Sequence, residues 1–303
     1  MYDLIIVGAG PAGITAAIYA ARKRLNFLVI TKDVGGQAAL SADVENYTGY
    51  QYITGFELAK RFEEHIREFK IEVKEGEEVV GVKKKGEVIE VKTGKDAYES
   101  RALIIATGAR PRALNVPGER EFKNRGVTYC ATCDAPLFAD MDIAVIGGGN
   151  SALDATLQLM KIARKIYPIN KNPKFRGDEV MIEKVEASDK VTILYNTNTL
   201  EILGDKMVTG IRIEREGKRE ILTVRGVFIE IGYIPNSDFV AGFVERNERG
   251  EIVVDDHNRT NVQGIFAAGD VTTVPQKQII IAAGEGAKAA LSAHEYLARS
   301  RPR

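Results

Sequence analysis

Long apolar runs recur along this chain, and two of them lead into the same kind of glycine-rich turn. Residues 3–7 and residues 142–146 each have the pattern of a buried strand ending at such a turn. Residues 14–22 and 153–161, which follow the two turns, have the apolar spacing of a helix. A buried strand, a tight glycine turn and a helix in this order are typical of a nucleotide-binding unit, so the sequence predicts two of them.

Other stretches alternate between apolar and polar residues, which is the pattern of antiparallel strands with one solvated face. Residues 71–100 and residues 191–224 both alternate in this way and are rich in Lys and Glu. Each is predicted to be a small antiparallel meander. Residues 56–69 instead have the spacing of an amphipathic helix.

Two further apolar strands end in glycine and then proline, at residues 102–111 and 226–235. Each is predicted to close one nucleotide-binding unit. A third apolar strand, at residues 264–270, ends in Gly269 and Asp270 and comes after the second closing strand. We assign it to the first unit, which makes that unit discontinuous in sequence.

The predicted fold class is therefore α/β, with two Rossmann-like, three-layer nucleotide-binding domains, one inserted into the other. Residues 1–112 and 240–303 are expected to form the split domain, and residues 113–239 the inserted one. The two passages of chain between the domains both contain proline, which suits an extended connection.

The composition narrows the setting in which such domains act. Apolar residues make up 45% of the 303 residues, and the 42 Lys and Arg balance the 42 Asp and Glu. No basic field is present to attract nucleic acid, and no apolar run is long enough to cross a membrane. The amino terminus enters a strand without the basic region of a signal peptide. These features predict a cytoplasmic protein that binds neither nucleic acid nor membranes.

The glycines of the first turn have separate tasks. Gly8 permits the tight turn, Gly10 allows a pyrophosphate to approach the backbone, and Gly13 allows the helix to lie close to the strand. The second turn has Ala152 at the third position. In both turns the following helix presents unpaired N–H groups and a positive dipole end, so both are predicted to bind a dinucleotide.

The end of the next strand decides which ribose substituent each unit accepts. In the first unit this strand ends at Thr31 rather than at the usual acid, and Thr31 is either a ribose ligand or an ordinary strand-end residue. In the second unit no carboxylate stands there to repel a 2′-phosphate. Lys171 and Arg176 either attract such a phosphate or form a solvated basic loop.

Cys130 and Cys133 are the only cysteines of the chain. A pair at this spacing is redox-active, metal-binding or a packing pair. Zinc requires about four ligands, and the three histidines are scattered without ligand spacing, so we predict a redox dithiol and no metal site. Asp134 is either a proton donor beside the dithiol or a helix cap.

Taken together, these motifs resemble the low-molecular-weight thioredoxin reductases over essentially the whole chain. The resemblance implies that the split domain binds FAD and that the inserted domain binds NADH or NADPH. It implies a homodimer that reduces the disulfide of thioredoxin or of a thioredoxin/glutaredoxin-like protein. The motifs that carry it are the two glycine loops, Gly35-Gly36-Gln37, Glu45-Asn46-Tyr47, Ala106-Thr107-Gly108, Cys130 to Asp134, and Gly269-Asp270.

The resemblance also implies roles for individual residues. Asp270 would bind the ribityl hydroxyls of the flavin, and Gln278 and Ile279 would open a helix facing the flavin pyrimidine edge. Cys133 would receive electrons from the flavin, and Cys130 would attack the substrate disulfide. The remaining residues expected to contact the two nucleotides are Pro11, Ala12, Gly147, Gly149, Asn150, Ser151, Ile231 and Gly232.

The sequence departs from the family at two places. The His-Arg-Arg cluster that binds the NADPH 2′-phosphate is replaced by Asn170-Lys171-Asn172, and Arg176 alone remains, which leaves the choice of nicotinamide open. Ala135 replaces a common glycine after the dithiol.

Other functions use parts of the same scaffold. The closing third also resembles the reductase core of the alkyl hydroperoxide reductase flavoprotein subunit. That protein has an extra thioredoxin-like module for which this chain has no room, so a separate disulfide partner is expected. The alternatives are a ferredoxin or flavodoxin reductase-like flavoprotein and a flavin-bound redox sensor.

Overall fold

The structure, a computed structural model, describes residues 1–40, 43–44, 46–129 and 131–299, without the side chains of Leu40, Asp43, Thr132 and Cys133. The chain divides into two compact units. Unit 1 comprises Met1–Arg110 and Ile234–Arg303, and unit 2 comprises Pro111–Tyr233. The divisions lie after Arg110 and Tyr233, whereas the sequence analysis placed them after residues 112 and 239. Both fall within short strands, Ala109–Pro111 and Tyr233–Pro235.

Unit 1 is built on a seven-stranded sheet with the order β5-β2-β1-β8-β7-β6, in which β19 pairs with β8. Its first part contains β1 (Tyr2–Ala9), α1 (Pro11–Arg22), β2 (Phe27–Val34), β3 (Asp43–Val44), β4 (Ile53–Thr54), α2 (Gly55–Glu68), β5 (Val73–Glu75), β6 (Val79–Lys85), β7 (Val88–Thr93), β8 (Ala97–Ile105) and β9 (Ala109–Pro111).

Unit 2 has a five-stranded parallel sheet with the order β10-β17-β11-β12-β13 and a three-stranded antiparallel sheet, β14-β15-β16. Its elements are β10 (Val127–Thr128), α3 (Ala131–Asp134), β11 (Asp142–Ile146), α4 (Asn150–Leu159), β12 (Lys165–Asn170), α5 (Glu179–Glu186), β13 (Leu194–Tyr195), β14 (Thr197–Gly204), β15 (Val208–Arg215), β16 (Lys218–Leu222) and β17 (Gly226–Ile229). The chain then continues with β18 (Tyr233–Pro235), β19 (Ile265–Ala267) and α6 (Ile279–Arg299).

The central residues of β1 and β11, 4–7 and 143–146, are all apolar because both faces of each sheet are covered. Leu4 and Ile6 of β1 belong to one core cluster, and Ile5 and Val7 to the cluster on the other face. The residues of β11 alternate between two clusters in the same way. Continuous apolar runs of this kind are typical of parallel strands, so the predicted α/β class is confirmed.

The smaller elements follow the alternation and helix signals of the sequence. β6, β7 and β8 form the predicted antiparallel meander of unit 1, and β14, β15 and β16 form that of unit 2. The first strand of each predicted stretch is not part of its meander. β5 pairs in parallel with β2, and β13 pairs in parallel with β12. β19 pairs with β8, which confirms that the third strand belongs to unit 1.

The predicted amphipathic helix is α2, and its start has a clear local cause. The hydroxyl of Thr54 accepts the N–H of Glu57 at 3.2 Å, and the Glu57 carboxylate accepts the N–H of Thr54 at 3.2 Å. This reciprocal capping box satisfies two N–H groups that the helix leaves unpaired. Leu58 and Ile66 then bury one face of the helix against the unit.

Candidate active site

The first glycine loop brings α1 against the strands that flank it. A Cβ on Gly8 would lie 2.3 Å from the carbonyl oxygen of Ala106, and one on Gly13 would lie 1.9 Å from the carbonyl oxygen of Gly8. A Cβ on Gly10, which caps α1, would meet no atom within 4 Å. Gly8 and Gly13 are therefore required by packing within the protein, whereas Gly10 leaves open space at the helix amino terminus.

Pro11 is the first residue of α1 and the loop residue Ala12 lies behind it, where α6 and the closing motif meet the loop. A Cβ on Gly269 would be 3.0 Å from the Cβ of Ala12, and one on Gly286 would be 1.9 Å from the Ala12 carbonyl oxygen. The closing Gly269-Asp270 motif is thus placed directly against the opening loop, although about 260 residues separate them in sequence.

The predicted turn at Gly35 and Gly36 also adjoins this loop. Both glycines have positive φ angles, 97° and 55°, which favour glycine. A Cβ on Gly36 would lie 3.2 Å from the Cα of Gly10. Gln37 continues the turn into a short 3₁₀ helix, Gly36–Leu40.

Asn46 and Gln278 were predicted from separate motifs, and the fold brings them together. The side-chain amide of Asn46 donates a hydrogen bond to Oε1 of Gln278 at 3.1 Å. Ile279, the next residue, is the first of α6. Nearby, the ring of Tyr47 lies edge-on to Phe62, and burial raises the pKa of the Tyr47 hydroxyl. Glu45, the first residue of the same motif, lies outside the described residues.

The end of β8 is held by a residue that the sequence did not indicate. The hydroxyl of Thr107 donates to the carbonyl oxygen of Asn236 at 2.7 Å, and the Asn236 amide donates to the carbonyl oxygen of Thr107 at 2.9 Å. The N–H of Asn236 also bonds the carbonyl oxygen of Gly108 at 2.9 Å. No motif marks Asn236, and only the return of the chain into unit 1 places it there.

Asp270 is a largely buried carboxylic acid, and among the described residues no hydrogen bond reaches its carboxyl group. Burial raises its pKa, and the nearby Lys277 opposes this effect. Lys277 itself is paired with Glu251 at 2.9 Å. A buried acceptor without a partner in the described part of the chain is suited to hydroxyl donors of a ligand.

Thr31, the predicted strand-end ribose ligand, is 6% exposed. Its hydroxyl accepts the N–H of Ala9 at 3.1 Å and donates to the carbonyl oxygen of Asp33 at 2.5 Å. Both partners are backbone groups of unit 1, so the hydroxyl joins the first loop to the end of β2. Its role as a ribose ligand stays a prediction.

The second glycine loop repeats the geometry of the first. A Cβ on Gly147 would lie 2.2 Å from the carbonyl oxygen of Glu230, whereas one on Gly149, which caps α4, would meet only the Arg176 carbonyl oxygen at 3.8 Å. Ala152 is fully buried behind the loop, and Ser151 is exposed. Open space at a helix amino terminus is again the result.

Asn170 at the end of β12 shapes the loop that follows it. Its side-chain amide donates to the carbonyl oxygen of Lys174 at 2.9 Å, and its Oδ1 accepts the N–H of Asn172 at 3.0 Å. The N–H of Arg176 donates to the carbonyl oxygen of Gly148 at 2.7 Å. Asn170 is 2% exposed, and its side chain thus holds the loop from inside the unit. The sequence analysis noted Asn170 only as a departure from the family's His-Arg-Arg cluster and did not predict this role.

Lys171 and Arg176 are both exposed, and neither side chain has a hydrogen bond or ion pair within the described residues. Asn150 fixes the far end of the same loop, since its Oδ1 accepts the N–H of Asp178 at 2.8 Å. The two cations therefore stand beside the second glycine loop on a backbone that is held at both ends.

The dithiol segment lies in unit 2, immediately before β11. Cys130 lies outside the described residues, and Cys133 lies in the short helix Ala131–Asp134, without a described side chain. The hydroxyl of Thr128 donates a hydrogen bond to Oδ2 of Asp134. The Asp134 carboxylate does not accept a capping hydrogen bond from the 3₁₀ turn that follows it, Ala135–Phe138. Its hydrogen bond is the one from Thr128.

The buried carboxylate of Glu119 bonds Tyr129, the residue before Cys130. Glu119 is 2% exposed and accepts the N–H groups of Leu114 and Asn115 at 2.7 and 2.5 Å. It also accepts the hydroxyl of Tyr129 at 2.7 Å, and burial together with this hydrogen bond raises the pKa of Tyr129. Sequence reasoning gave no signal for this acid.

The closing strand of unit 2 ends beside the same segment. Glu230 follows β17, and its carboxyl group accepts the N–H of Ala131. Gly232, with a φ of 94°, accepts the N–H of Arg112 at 2.8 Å. Ile231 packs against the core of unit 2. These residues, two of them predicted cofactor ligands, line the end of the parallel sheet.

The comparisons with known proteins agree with this geometry. A family model described as pyridine nucleotide-disulphide oxidoreductase matches residues 2–287. The chain belongs to this family. Among solved structures, a thioredoxin reductase of Lactococcus lactis is 36% identical with a TM-score of 0.84, and the match covers 99% of this chain and 100% of that one. The T. acidophilum thioredoxin reductase is 38% identical with a TM-score of 0.80, covering 97% and 98%.

Curated relatives of this oxidoreductase have other names. It is 43% identical over 302 residues to the NADH dehydrogenase of Bacillus subtilis (strain 168), which covers 99% of this chain and 59% of that protein. It is 42% identical over 302 residues to an alkyl hydroperoxide reductase component of Staphylococcus aureus (strain NCTC 8325 / PS 47), covering 99% and 60%. The chain spans about three fifths of the length of the curated relatives that it matches.

The cofactors of this oxidoreductase are FAD and NAD(P)H, and the residues present fit them. In each unit a helix begins at a glycine with open space in front of it, which suits a pyrophosphate. In unit 1 the carboxyl group of Asp270, which has no hydrogen bond to any described residue, is an acceptor that suits the hydroxyl groups of a flavin. Within the described ranges, no helix is long and apolar enough to cross a membrane, and no cluster of three metal-ligating side chains occurs.

Proposed function

We propose that the protein is a thioredoxin reductase-like enzyme that passes an electron pair from NAD(P)H to the disulfide of thioredoxin or of a thioredoxin/glutaredoxin-like protein. The observation that carries the proposal is the position of the Cys130–Cys133 pair, in unit 2 and directly before the second nucleotide loop. Structures of thioredoxin reductases share 36–38% identity with this chain over nearly all of their length.

The residues of unit 1 would bind and orient the flavin. The loop at Gly10 would receive the pyrophosphate, Asp270 the ribityl hydroxyls, and the start of α6 at Gln278 the pyrimidine edge, where N–H groups stabilise negative charge. FAD, when bound, supplies the ability to accept a hydride and to release two electrons to a disulfide.

The residues of unit 2 would carry out the thiol chemistry. Reduction of one disulfide by NAD(P)H consumes one proton and yields NAD(P)⁺ and two thiols. Cys130 as thiolate would bond one sulfur of the substrate disulfide, and the other sulfur would leave as a thiolate. Cys133 would then attack Cys130 and release the reduced substrate. Asp134, held by Thr128, is the proposed proton donor to the departing thiolate.

A second candidate acceptor is favoured by the identity of 42% to the alkyl hydroperoxide reductase component. In that case the electrons would pass to the disulfide of a peroxide-reducing partner rather than to thioredoxin. The two functions share the nucleotide loops and the dithiol and differ only in the last acceptor. The identity of 43% to a protein named NADH dehydrogenase agrees with the use of NADH in either case.

The test is a stopped-flow comparison under anaerobic conditions. The FAD-loaded protein is mixed with NADH and with NADPH, and bleaching of the flavin absorbance gives the rate for each donor. Turnover is then measured with thioredoxin and with a peroxiredoxin as alternative acceptors. Flavin bleaching without reduction of either protein disulfide would reject the proposed function, and peroxiredoxin reduction alone would favour the second candidate.

A further inference from the structure

Glu230 is a carboxylic acid that the proposed reaction does not use, although it touches the dithiol segment. Its N–H donates to the carbonyl oxygen of Ile146 at 2.8 Å, which fixes its backbone at the end of the parallel sheet. Its carboxyl group accepts the N–H of Ala131. Ala131 directly follows Cys130 in the chain, so the N–H that the carboxyl group accepts belongs to the peptide bond that joins these two residues.

Among the described residues, no Lys or Arg lies close enough to this carboxyl group to shift its pKa. The carboxyl group faces a cavity of about 150 Å³ in which no described lining residue is a Lys or Arg. The other titratable residues among those that line this cavity are Asp154 from α4, which is exposed, Tyr129 and Tyr233. Burial raises the pKa of Glu230 to about 8, the Ala131 N–H opposes this effect, and Asp154 adds to it.

Unit 1 shows that the fold does not require an acid at this position. Ala106 follows β8 as Glu230 follows β17, and its N–H donates to the carbonyl oxygen of Val7 at 2.8 Å. The carbonyl oxygens of Ala106 and Glu230 lie equally close to the first glycine of their loops, with Cβ positions on Gly8 and Gly147 at 2.3 and 2.2 Å. An alanine therefore fills the same backbone position where no dithiol is present.

A negative charge near a thiol disfavours the thiolate and raises the thiol pKa. A neutral carboxyl group at the same place keeps the hydrogen bond to Ala131 through its carbonyl oxygen without this repulsion. The charge state of Glu230 thus bears on the reactivity of Cys130 and on the placement of its segment.

Resting on the proposed function, we propose that Glu230 is a positioning residue for the redox dithiol. It anchors the start of the dithiol segment through the Ala131 N–H. When it ionises, its charge lowers the thiolate fraction of Cys130 and slows attack on the substrate disulfide. Above the pKa of Glu230, the thiolate fraction of Cys130 therefore rises less steeply with pH than that of an isolated thiol.

The test is the rate at which Cys130 is alkylated as a function of pH. The FAD-loaded, full-length protein is reduced with dithiothreitol, freed of reductant under anaerobic conditions and treated with iodoacetamide between pH 6 and pH 10. Mass spectrometry of the modified peptide assigns the product to Cys130. For the wild type we expect a shoulder near pH 8, because ionisation of Glu230 shifts the apparent thiol pKa upward by about one unit.

Glu230→Gln and Glu230→Ala should remove the shoulder and leave a single thiol titration, with Ala reproducing the residue of unit 1. Asp154→Asn is the matched control, because Asp154 lines the same cavity without bonding Ala131. It should retain the shoulder. The proposal is overturned if the Glu230→Gln profile coincides with that of the wild type, or if Asp154→Asn removes the shoulder instead.

The infrared difference spectrum between the wild type and Glu230→Gln gives a second measurement, because the subtraction cancels the other buried acid, Asp270. The carbonyl band of the protonated Glu230 carboxyl group should be present in it at pH 6 and disappear near pH 8. Its disappearance near the ordinary Glu value would overturn the proposal. Neither measurement involves a nicotinamide or a protein substrate, so failure of turnover with thioredoxin would reject the proposed function without changing these results.

Discussion

The two nucleotide-binding units use the same backbone arrangement and differ in the side chains placed on it. In both, the N–H of the residue after the closing strand bonds the strand that leads into the glycine loop, at 2.8 Å. That residue is Ala106 in unit 1 and Glu230 in unit 2. The equivalent position thus closes the core of one unit and contacts the dithiol segment of the other. The fold sets the backbone, and the side chain at this position differs in the unit that contains the Cys130–Cys133 segment.

The third loop position shows a second difference between the units. Gly13 has no room for a Cβ, which would lie 1.9 Å from a backbone oxygen. Ala152 has a Cβ at the equivalent place, and it would lie 2.9 Å from a Cβ built on Gly147. The second loop therefore accommodates a Cβ at the position where the first loop does not, and the tolerance of the two positions for substitution should differ accordingly.

The largest expected effect is the loss of disulfide reduction when either cysteine of unit 2 is replaced, with nucleotide binding retained in both units. Cys130→Ser and Cys133→Ser should each abolish reduction of a protein disulfide, because a mixed disulfide requires a second thiol for its resolution. Flavin reduction by the nicotinamide should persist in both variants, since it does not involve the thiols. Cys133→Ser should in addition trap a covalent complex with thioredoxin, visible on a non-reducing gel. Full activity of either variant on a protein disulfide would contradict the mechanism.

The next effect tests the difference at the third loop position. Gly13→Ala should destabilise unit 1 by about 3 kcal/mol or more and cause loss of bound flavin, because the new methyl group overlaps a backbone oxygen. Alanine otherwise favours a helix over glycine, so the sign of the change isolates the packing effect. The control Ala152→Gly should lose only about 1 kcal/mol. Flavin content and thermal unfolding give both values, and equal losses would show that the loops are equivalent.

Asp270→Ala should weaken flavin binding by about 1.5–3 kcal/mol, the contribution of hydrogen bonds to a charged acceptor. Because the carboxyl group is buried and its pKa is raised, its removal should not lower the thermal stability of the flavin-free protein. Equilibrium dialysis of the flavin and unfolding of the flavin-free form measure the two quantities. Unchanged flavin affinity would exclude Asp270 from the flavin site.

The smallest effect concerns the choice of nicotinamide in unit 2. The wild type should use NADH at least as well as NADPH, because Lys171 and Arg176 supply only part of the attraction for a 2′-phosphate. Lys171→Arg combined with Asn172→Arg should shift the preference toward NADPH by about tenfold, or 1.4 kcal/mol. Asn170 is left unchanged because it holds the loop. The ratio of kcat/KM for the two donors is the measurement, and a large NADPH preference of the wild type would contradict this interpretation.

Most of the architecture could be predicted because its signals are local. A continuous apolar strand followed by a glycine loop identified β1 and β11, and alternation of apolar and polar residues identified the two antiparallel meanders. The short parallel pairings of β5 and β13 could not be predicted, because a strand of two or three residues has no pattern of its own.

The sequence by itself determined where the two glycine loops and the capping box of α2 lie, because glycine loops and capping residues act on their immediate neighbours. Tertiary structure alone decided three hydrogen-bonded pairs. They are Asn236 with Thr107, Asn46 with Gln278, and Glu230 with Ala131. These partners lie 99 to 232 residues apart and belong to no shared local pattern, so only closure of the sheets brings them into contact. The raised pKa of Glu230 comes from its burial, and the residues that bury it belong to separate strands and helices. The local sequence around Glu230 therefore does not reveal it.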